Sequence, residues 1–533
     1  MSLTPEQLAL LEKLRLFDAD WYLAANADVR ASGIAPWDHF VEYGLAEGRK
    51  PGLRFDPAQY LAANSDLDPG LIHPLKHFLN AGFREGRPLT PEERALKKLA
   101  GSRWPESPLP NVLPSWFGSH PGLAPDGVLR VLYVLSVQSG GTPQTNQDLM
   151  AALGTRVDTQ VECFVLRCTG PHIVLYLFSQ GIYVPLERYR LEQPVSAFPH
   201  SLAGYDAMAK QWLEAYGIQL IHVRHSAWQS LGLMDVASEL GIPVVYSFHD
   251  YYAACPSVKL LDERQVFCGG RCTASQGECH QELWPDDQVR PLKHESVYTW
   301  QNQFAGALAL CSGFVATSAR VRDTMLDVFP ALAGKPFPVI AHGRDFDTLA
   351  ALAVQPELDE PLRILVPGHM AQAKGANILL QLAQMPELAH VRWHILGTLS
   401  ADVQNSAPAN IVVHGEYRRE DFHKHVATLR PHLGAVLSIW PETWCHTLTE
   451  LWAVGLPVVG FNTGAVGERL QKTGAGWLAE TITAPAMAAT ILAAQTPEAW
   501  QKALGHVDRW QKEGQRSCAE MAADYWQLYN KFR

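Results

Sequence analysis

Two carboxylates eight residues apart, Glu442 and Glu450, bracket the segment ETWCHTLTE in a 533-residue chain. The segment follows GAVLSIW, an apolar run read as a strand ending at Trp440, and precedes a second strand-like run, LPVVGF. A helix starting near His446 or Thr447 would then open at the carboxyl edge of a sheet. Its free N–H groups and positive dipole end form an anion site, and phosphate is the usual occupant. Glutamate in a first helical turn is common for dipole reasons alone, so Glu442, in the loop before the helix, is the more informative of the two. A ligand with a diphosphate at the helix end and hydroxyl-rich groups on either side would use both carboxylates as hydrogen-bond acceptors.

Other chemistry-bearing clusters compete with this one. Cys255, Cys268, Cys272 and Cys279 lie in CPSVKLLDERQVFCGGRCTASQGECH, with His280 adjacent. Four thiols around a Gly-rich loop could close a structural zinc or iron–sulfur site, although the x12-x3-x6 spacing is that of no zinc ribbon. Free thiols in a loop are the other reading, and both stay open here. Two Asp-x-Asp pairs, Asp18/Asp20 and Asp345/Asp347, could hold a metal-bound diphosphate. The first lies in a repeat segment and the second follows a strand, so no catalytic metal is expected.

The elements that position these residues form three segments. FDADWYLAANADVRASGIAPWDHFVEYGLAEGRKP from Phe17 is echoed from Phe55 at a constant offset of 38 residues, pairing Tyr22 with Tyr60, His39 with His77 and Gly44 with Gly82. A fixed period with matching turn glycines is one supersecondary unit used twice, and a small all-α repeat domain over residues 1–95 is expected. A Pro-, Ser- and Gly-rich stretch follows, read as a linker over 96–128. From there strand-like runs alternate with helical ones in two series that break near residue 345. That pattern predicts two α/β domains with parallel sheets, 129–344 and 345–533. Ligands in such folds sit at the carboxyl ends of the strands, and a cleft between two such domains is the natural pocket.

Composition narrows the function. The formal net charge is -10 and the chain has no long basic run, which argues against a nucleic-acid partner. Hydrophobic residues make up 47% and charged residues 18%, an ordinary globular balance. The N-terminus has no apolar export region, and no run approaches the length of a transmembrane span. Nine cysteines then read as reduced thiols, and a cytoplasmic location, or the inner face of the membrane, is expected.

A nucleotide sugar has the ribose, diphosphate and hexose that the two carboxylates and the helix end call for. At this point PETWCHTLTE with AVGLPVV resembles the Glu-x7-Glu signature and following Ala-x-Gly-x-Pro-Val-Val run of retaining GT-B glycosyltransferases of family 4, over roughly residues 130–500. The resemblance implies a GT-B fold, with two Rossmann-like domains facing a cleft, and a nucleotide-diphosphate sugar donor with no cofactor required. It implies that Glu442 contacts the donor sugar, that Glu450 contacts the ribose, and that the Thr447 and Leu448 amides hold the diphosphate. GHMAQAKG resembles the family's Gly-Arg-x5-Lys-Gly stretch, with Gly368 and Lys374 matching. His369 stands where arginine is usual and holds phosphate less firmly, so Arg344 in AHGRDFD is the candidate second cation. Gly140 and Gly141 match a Gly-Gly loop that approaches the donor, and His249 matches a histidine facing the transferred sugar. Glu442, His249 and Lys374 are thus the expected catalytic residues. The implied acceptor is a polysaccharide, glycolipid or protein, and the repeats are a candidate surface for homo-oligomers. An inactive GT-B scaffold and a sugar-nucleotide epimerase are the alternatives.

Overall fold

The computed structural model describes residues 3–14, 16–70, 72–83, 85, 87–91, 124, 127–136, 141–156, 160–289, 291–357, 360–404 and 406–533. The expected linker lies almost wholly outside the described residues. The chain divides into two compact units, one of residues 1–133, 154–194 and 207–219, the other of residues 134–153, 195–206 and 220–533.

In the first unit the two repeats fold alike. Helix Ala19–Ala25 corresponds to Pro57–Ala63, and Pro36–His39 with its wide last turn Phe40–Gly44 corresponds to Pro74–His77 with Phe78–Gly82. Asp18 and Asp56 cap the first helix of each. The Tyr22 hydroxyl meets His39 Nδ1 at 3.1 Å, and Tyr60 meets His77 at 2.9 Å. A Cβ on Gly44 or Gly82 would lie 2.1 Å from the matching tyrosine oxygen, which is why glycine recurs there. Arg49 binds Asp28 and Glu47, and Arg87 binds Asp66 and Glu85. The repeated Glu-Gly-Arg ends therefore tie back to helix Ala27–Ser32 in the first repeat and to the turn at Asp66 in the second.

The same unit carries strands β1 (Val128–Leu135), β2 (Gln160–Thr169), β3 (His172–Ser179) and β4 (Ile182–Arg190) in the order β4-β3-β2-β1. The alternation had implied parallel strands throughout, but β2, β3 and β4 form an antiparallel meander. The connections Gly170-Pro171 and Gln180-Gly181 are two residues long, far too short for a parallel crossover. Gln180 and Gly181 take positive φ angles of 50° and 80°, the backbone of a tight hairpin turn.

The second unit carries two parallel arrays. β5 (Leu220–His225), β6 (Val244–Phe248) and β7 (Gly313–Ala316) pair in sequence. β8 (Leu362–Pro367), β9 (Val391–Leu396), β10 (Ile411–Val413), β11 (Leu433–Val436), β12 (Val458–Phe461) and β13 (Gly476–Ala479) form a six-stranded sheet ordered β10-β9-β8-β11-β12-β13. Every pair in it is parallel. Helices cover both faces, with Trp393 and Phe461 fully buried on one side and Trp452 and Leu451 on the other, as parallel strands require. The last helix, Cys518–Tyr529, packs on β5: Tyr529 bonds His222 at 2.6 Å, and Arg224 donates to Tyr525 at 2.9 Å.

Candidate active site

The order β10-β9-β8-β11-β12-β13 reverses direction between β8 and β11. In an open parallel sheet that reversal leaves a crevice beyond the strand ends where ligands bind. The two loops flanking it are Gly368–Gly375, after β8, and Leu437–Cys445, after β11. β11 stops at Val436, four residues before the sequence pattern ends, because the chain leaves the sheet to meet the neighbouring loop. Ile439 donates to the Ala373 carbonyl at 3.0 Å. Gly375 has φ 86°, and a Cβ there would lie 2.0 Å from the Leu437 carbonyl oxygen. Only glycine lets the loops approach this closely.

That approach brings Lys374 and Glu442 together. Lys374 Nζ donates to Glu442 Oε1 at 2.6 Å, and the Ser438 hydroxyl donates to the same oxygen. Glu442 is buried, while the Lys374 side chain is 41% exposed and lies 5.8 Å from the centre of the Trp440 ring. Burial works against the ammonium charge, but Glu442 more than offsets it and holds the lysine pKa above its ordinary value. Among the described residues no partner falls on Glu442 Oε2, so one carboxylate oxygen is left for a ligand.

The helix after this loop runs from His446 to Ala453. Cys445 before it has φ 71°, a region unfavourable for a side-chain-bearing residue. Arg469 holds the turn. Its Nη1 donates to the Trp444 and Cys445 carbonyls at 3.0 and 2.9 Å, and its Nη2 donates to Thr449 at 2.8 Å. The guanidinium also lies 4.0 Å from the Trp444 ring centre. No side-chain oxygen caps the helix start; the Cys445 sulfur meets Thr447 Oγ1 at 3.2 Å and accepts from the Leu448 amide.

Glu450 is one helical turn further on and already engaged. Arg344 Nη1 donates to its Oε1 at 2.5 Å, and the Tyr417 hydroxyl donates to Oε2 at 2.7 Å. Burial, then the Glu450 charge, raises the Tyr417 pKa, so the phenol stays a donor. Arg344 is therefore a partner of Glu450, with a buried Nε that has none. Each carboxylate oxygen keeps a second lone pair for a ligand hydroxyl. Beside the pair opens a cavity of about 580 Å³ lined by Arg344, Phe346, Arg419, Phe422, His423 and Glu450 among others.

His249, just past β6, joins the same region. Thr443 donates to its carbonyl at 2.6 Å, and Tyr251 donates to the Pro441 carbonyl at 3.1 Å. Its ring stacks on His342 at 5.2 Å, and His342 stacks on His446 at 5.4 Å. His249 Nε2 and His342 Nδ1 are buried without hydrogen-bond partners. Burial lowers the pKa of all three, that of His446 to about 3, so they are neutral. A Cβ on Gly141 would come within 2.6 Å of the His446 ring. Gly140 lies outside the described residues. Gly368 has φ 102° at the end of β8, and His369 is exposed and bonds Thr398 at 2.7 Å.

Several contributors escape sequence reasoning. His342 and Arg344 share the loop AHGRDFD, but nothing in the spacing shows that the histidine joins two others. Tyr417 and Arg469 are ordinary helix- and loop-borne residues whose roles appear only when distant segments meet. Both Asp-x-Asp pairs have structural uses: Asp18 caps a helix, and Asp345 accepts the Cys518 amide at 3.0 Å. Cys255, Cys268, Cys272 and Cys279 line one small cavity of about 300 Å³ with Lys293. Among the described residues no group of three or more His, Cys, Asp or Glu is arranged to hold a metal ion.

The class that this fold and crevice define is the two-sheet GT-B type. Residues 140–348 match the model of Glycosyltransferase Family 4, and residues 361–496 match that of Glycosyl transferases group 1. Two glycosyltransferase models thus match successive stretches of the chain. It is 25% identical over 270 residues to WcaC of Escherichia coli (strain K12), which is named as a colanic acid biosynthesis glycosyl transferase. The match takes in 49% of this chain and 63% of that relative. In fold it is similar to the sucrose-phosphate synthase of Thermosynechococcus elongatus, with TM-score 0.52 and 16% identity, and to a glycosyltransferase from Rickettsia africae ESF-5, with TM-score 0.51 and 15% identity. Each alignment covers 76% of this chain and 98% of the other. No helix among the described residues is long and apolar enough to cross a membrane.

Proposed function

We propose that the chain transfers a sugar from a nucleoside-diphosphate sugar to a polysaccharide, glycolipid or protein acceptor with retention of configuration. The observation that carries this reading is the Lys374–Glu442 pair beside a helix start with no side-chain oxygen cap at the reversal point of the sheet. The diphosphate would lie on the Thr447 and Leu448 amides next to Lys374, which stabilise the charge that develops as the sugar–phosphate bond breaks; such electrostatic stabilisation is usually the largest catalytic contribution. Glu442 Oε2 and His249 would hold the sugar. Glu450, oriented by Arg344 and Tyr417, would accept from the ribose. Gly140, Gly141, Gly368 and His369 complete the proposed donor side, with no metal assigned to the chemistry. Residues 1–95 would form a repeat domain for association, joined by the linker 96–128 to domains 129–344 and 345–533, in a protein working in the cytoplasm or at the inner face of the membrane.

The test begins with a thermal-shift panel of nucleoside diphosphates, because a ligand bound only by the folded state raises its apparent stability. With the preferred donor, Glu442→Gln and His249→Ala should keep nucleotide affinity and lose most transfer. The anomeric configuration of the product, read by NMR, should match that of the donor. Parental transfer by either variant would remove that residue from the sugar site, and an inverted product would remove the retaining mechanism.

A further inference from the structure

A second cavity, of about 780 Å³, opens against the loop that carries Lys374. One wall is Ala371, Gln372 and Ala373, the three residues before the lysine, and the other is the loop 257–283. Leu261 and Ala373 give it an apolar floor; behind the lining both pack with Ile439 in a cluster that Trp440 borders. Glu442 follows Trp440 by two residues, and Lys374 joins both sides through its 2.6 Å bond to that carboxylate. The cavity therefore shares its Ala371–Ala373 wall with the loop that carries Lys374, and its lining has no residue in common with the Glu450 cavity.

The wall is built, not loose. Lys293 Nζ donates to Glu263, Thr273 and Ser275 at 2.6, 2.9 and 2.8 Å. Asp262 Oδ1 accepts the amides of Arg264 and Val266, each at 2.9 Å. Gln265 takes φ 64° at the tip of this turn, held there by its amide bond to the Asp262 carbonyl at 2.9 Å.

The lining chemistry selects among ligands. Lys259 and Glu282 lie 3.7 Å apart and neutralise each other, and His280 approaches Glu282 at 3.5 Å. A phosphate or carboxylate ligand would call for a cation not already paired, and a lipid chain would call for apolar walls. Gln265 and Gln372 instead offer two amides, each able both to donate and to accept, and the Ser257 hydroxyl, which donates to Cys255 Sγ at 3.2 Å, offers an acceptor. That suits vicinal hydroxyls, while the apolar floor suits the C–H face of a sugar ring.

We infer that this cavity is the acceptor site and that it takes the end of an uncharged oligosaccharide. This rests on the donor site proposed above. The test uses the full chain with uncharged tri- and tetrasaccharides, their phosphorylated counterparts, and Ser/Thr peptides. Saturation-transfer NMR without donor reads the cavity alone: uncharged saccharides should bind, and Ala371→Trp, which fills the cavity, should abolish the signal. In transfer assays the double variant Gln265→Ala/Gln372→Ala should raise acceptor KM about tenfold or more, as expected when hydrogen bonds worth about 1.4 kcal/mol are lost. Nucleotide affinity and slow donor hydrolysis should be unchanged in both variants. Saccharide binding that survives Ala371→Trp, or transfer confined to phosphorylated saccharides or peptides, overturns the inference. Saccharide binding without nucleotide binding would fault the donor site and with it the acceptor role, leaving the cavity a saccharide site alone.

Discussion

Removing Lys374 should cost more stability than removing its partner. In Lys374→Met the Glu442 carboxylate, 7% exposed, keeps only the Ser438 hydroxyl. Breaking a buried ion pair from one side typically costs about 3–5 kcal/mol because a charge is stranded. Lys374 is 41% exposed, so solvent already screens part of the interaction, and about 1–3 kcal/mol is the expected loss. In Glu442→Gln the lysine can turn to water and Ser438 can donate to the amide oxygen, so the loss should be about 0–1 kcal/mol. At roughly 2–4 °C per kcal/mol for a domain of this size, calorimetry should place the Lys374→Met transition several degrees below that of Glu442→Gln. The double variant should recover most of the difference, since no charge is then stranded, yet neither single variant nor the double should transfer sugar efficiently. Equal transition temperatures for the parent and Lys374→Met, or a double variant no more stable than Lys374→Met, would refute the argument that the ammonium compensates a buried carboxylate.

Gly375→Ala should destabilise by several kcal/mol, because its Cβ would meet the Leu437 carbonyl at 2.0 Å in a positive-φ backbone; a parental melting curve would contradict this. Gly82→Ala should destabilise the repeats through its 2.1 Å clash with the Tyr60 hydroxyl, and Tyr60→Phe should relieve it, since the next ring atom lies 3.2 Å away; urea melts of the single and double variants check this. Stability should also fall as pH drops from about 6.5 towards 4. Burial holds His200 near 4 and His446 near 3, and pushes His222, His249 and His342 well below their ordinary value. The unfolded chain then binds protons that the folded chain refuses, so the stability present above the unfolded pKa is lost on acidification. A melting temperature flat between pH 7 and 5 would show that these rings are not held neutral.

Legibility differed sharply between elements. The parallel strands of the second unit are short β-branched runs with helices between them, and their periodicity suffices to find them. The hairpins β2–β3 and β3–β4 escape a reading of strands alternating with helices, because no helical stretch separates VECFVLRCT, HIVLYLFS and IYVPLERYR. What separates them is the two-residue turns, and Gln180-Gly181 signals such a turn less strongly than Asn-Gly would. PFPVIAHG has the composition of a strand, yet it makes only an isolated bridge between Val339 and Ala316. Its proline-spaced start supplies too few donors for a ladder. In the repeats the equivalence of Tyr22 with Tyr60 was visible, but the reason for Gly44 and Gly82 required seeing a tyrosine oxygen where a Cβ would stand.

At the site, sequence reasoning reached residues whose chemistry acts through their own local geometry and missed those that act through distant segments. Glu442, Lys374 and the helix start belong to two strand-end loops, and strand order alone places those loops side by side. Arg469 belongs to the following helix, Tyr417 to the loop after β10, and His342 to the chain entering the sheet. Their functions, holding the Cys445 turn, orienting Glu450 and bridging His249 to His446, exist only as contacts. Those contacts also change how Glu450 is understood. On the sequence it is a carboxylate awaiting a ribose; in the fold it is the centre of an Arg344–Glu450–Tyr417 arrangement whose cation and phenol fix both oxygens. A carboxylate so fixed loses little freedom when a hydroxyl donates to its remaining lone pairs, and low ordering cost is what preorganised binding groups supply.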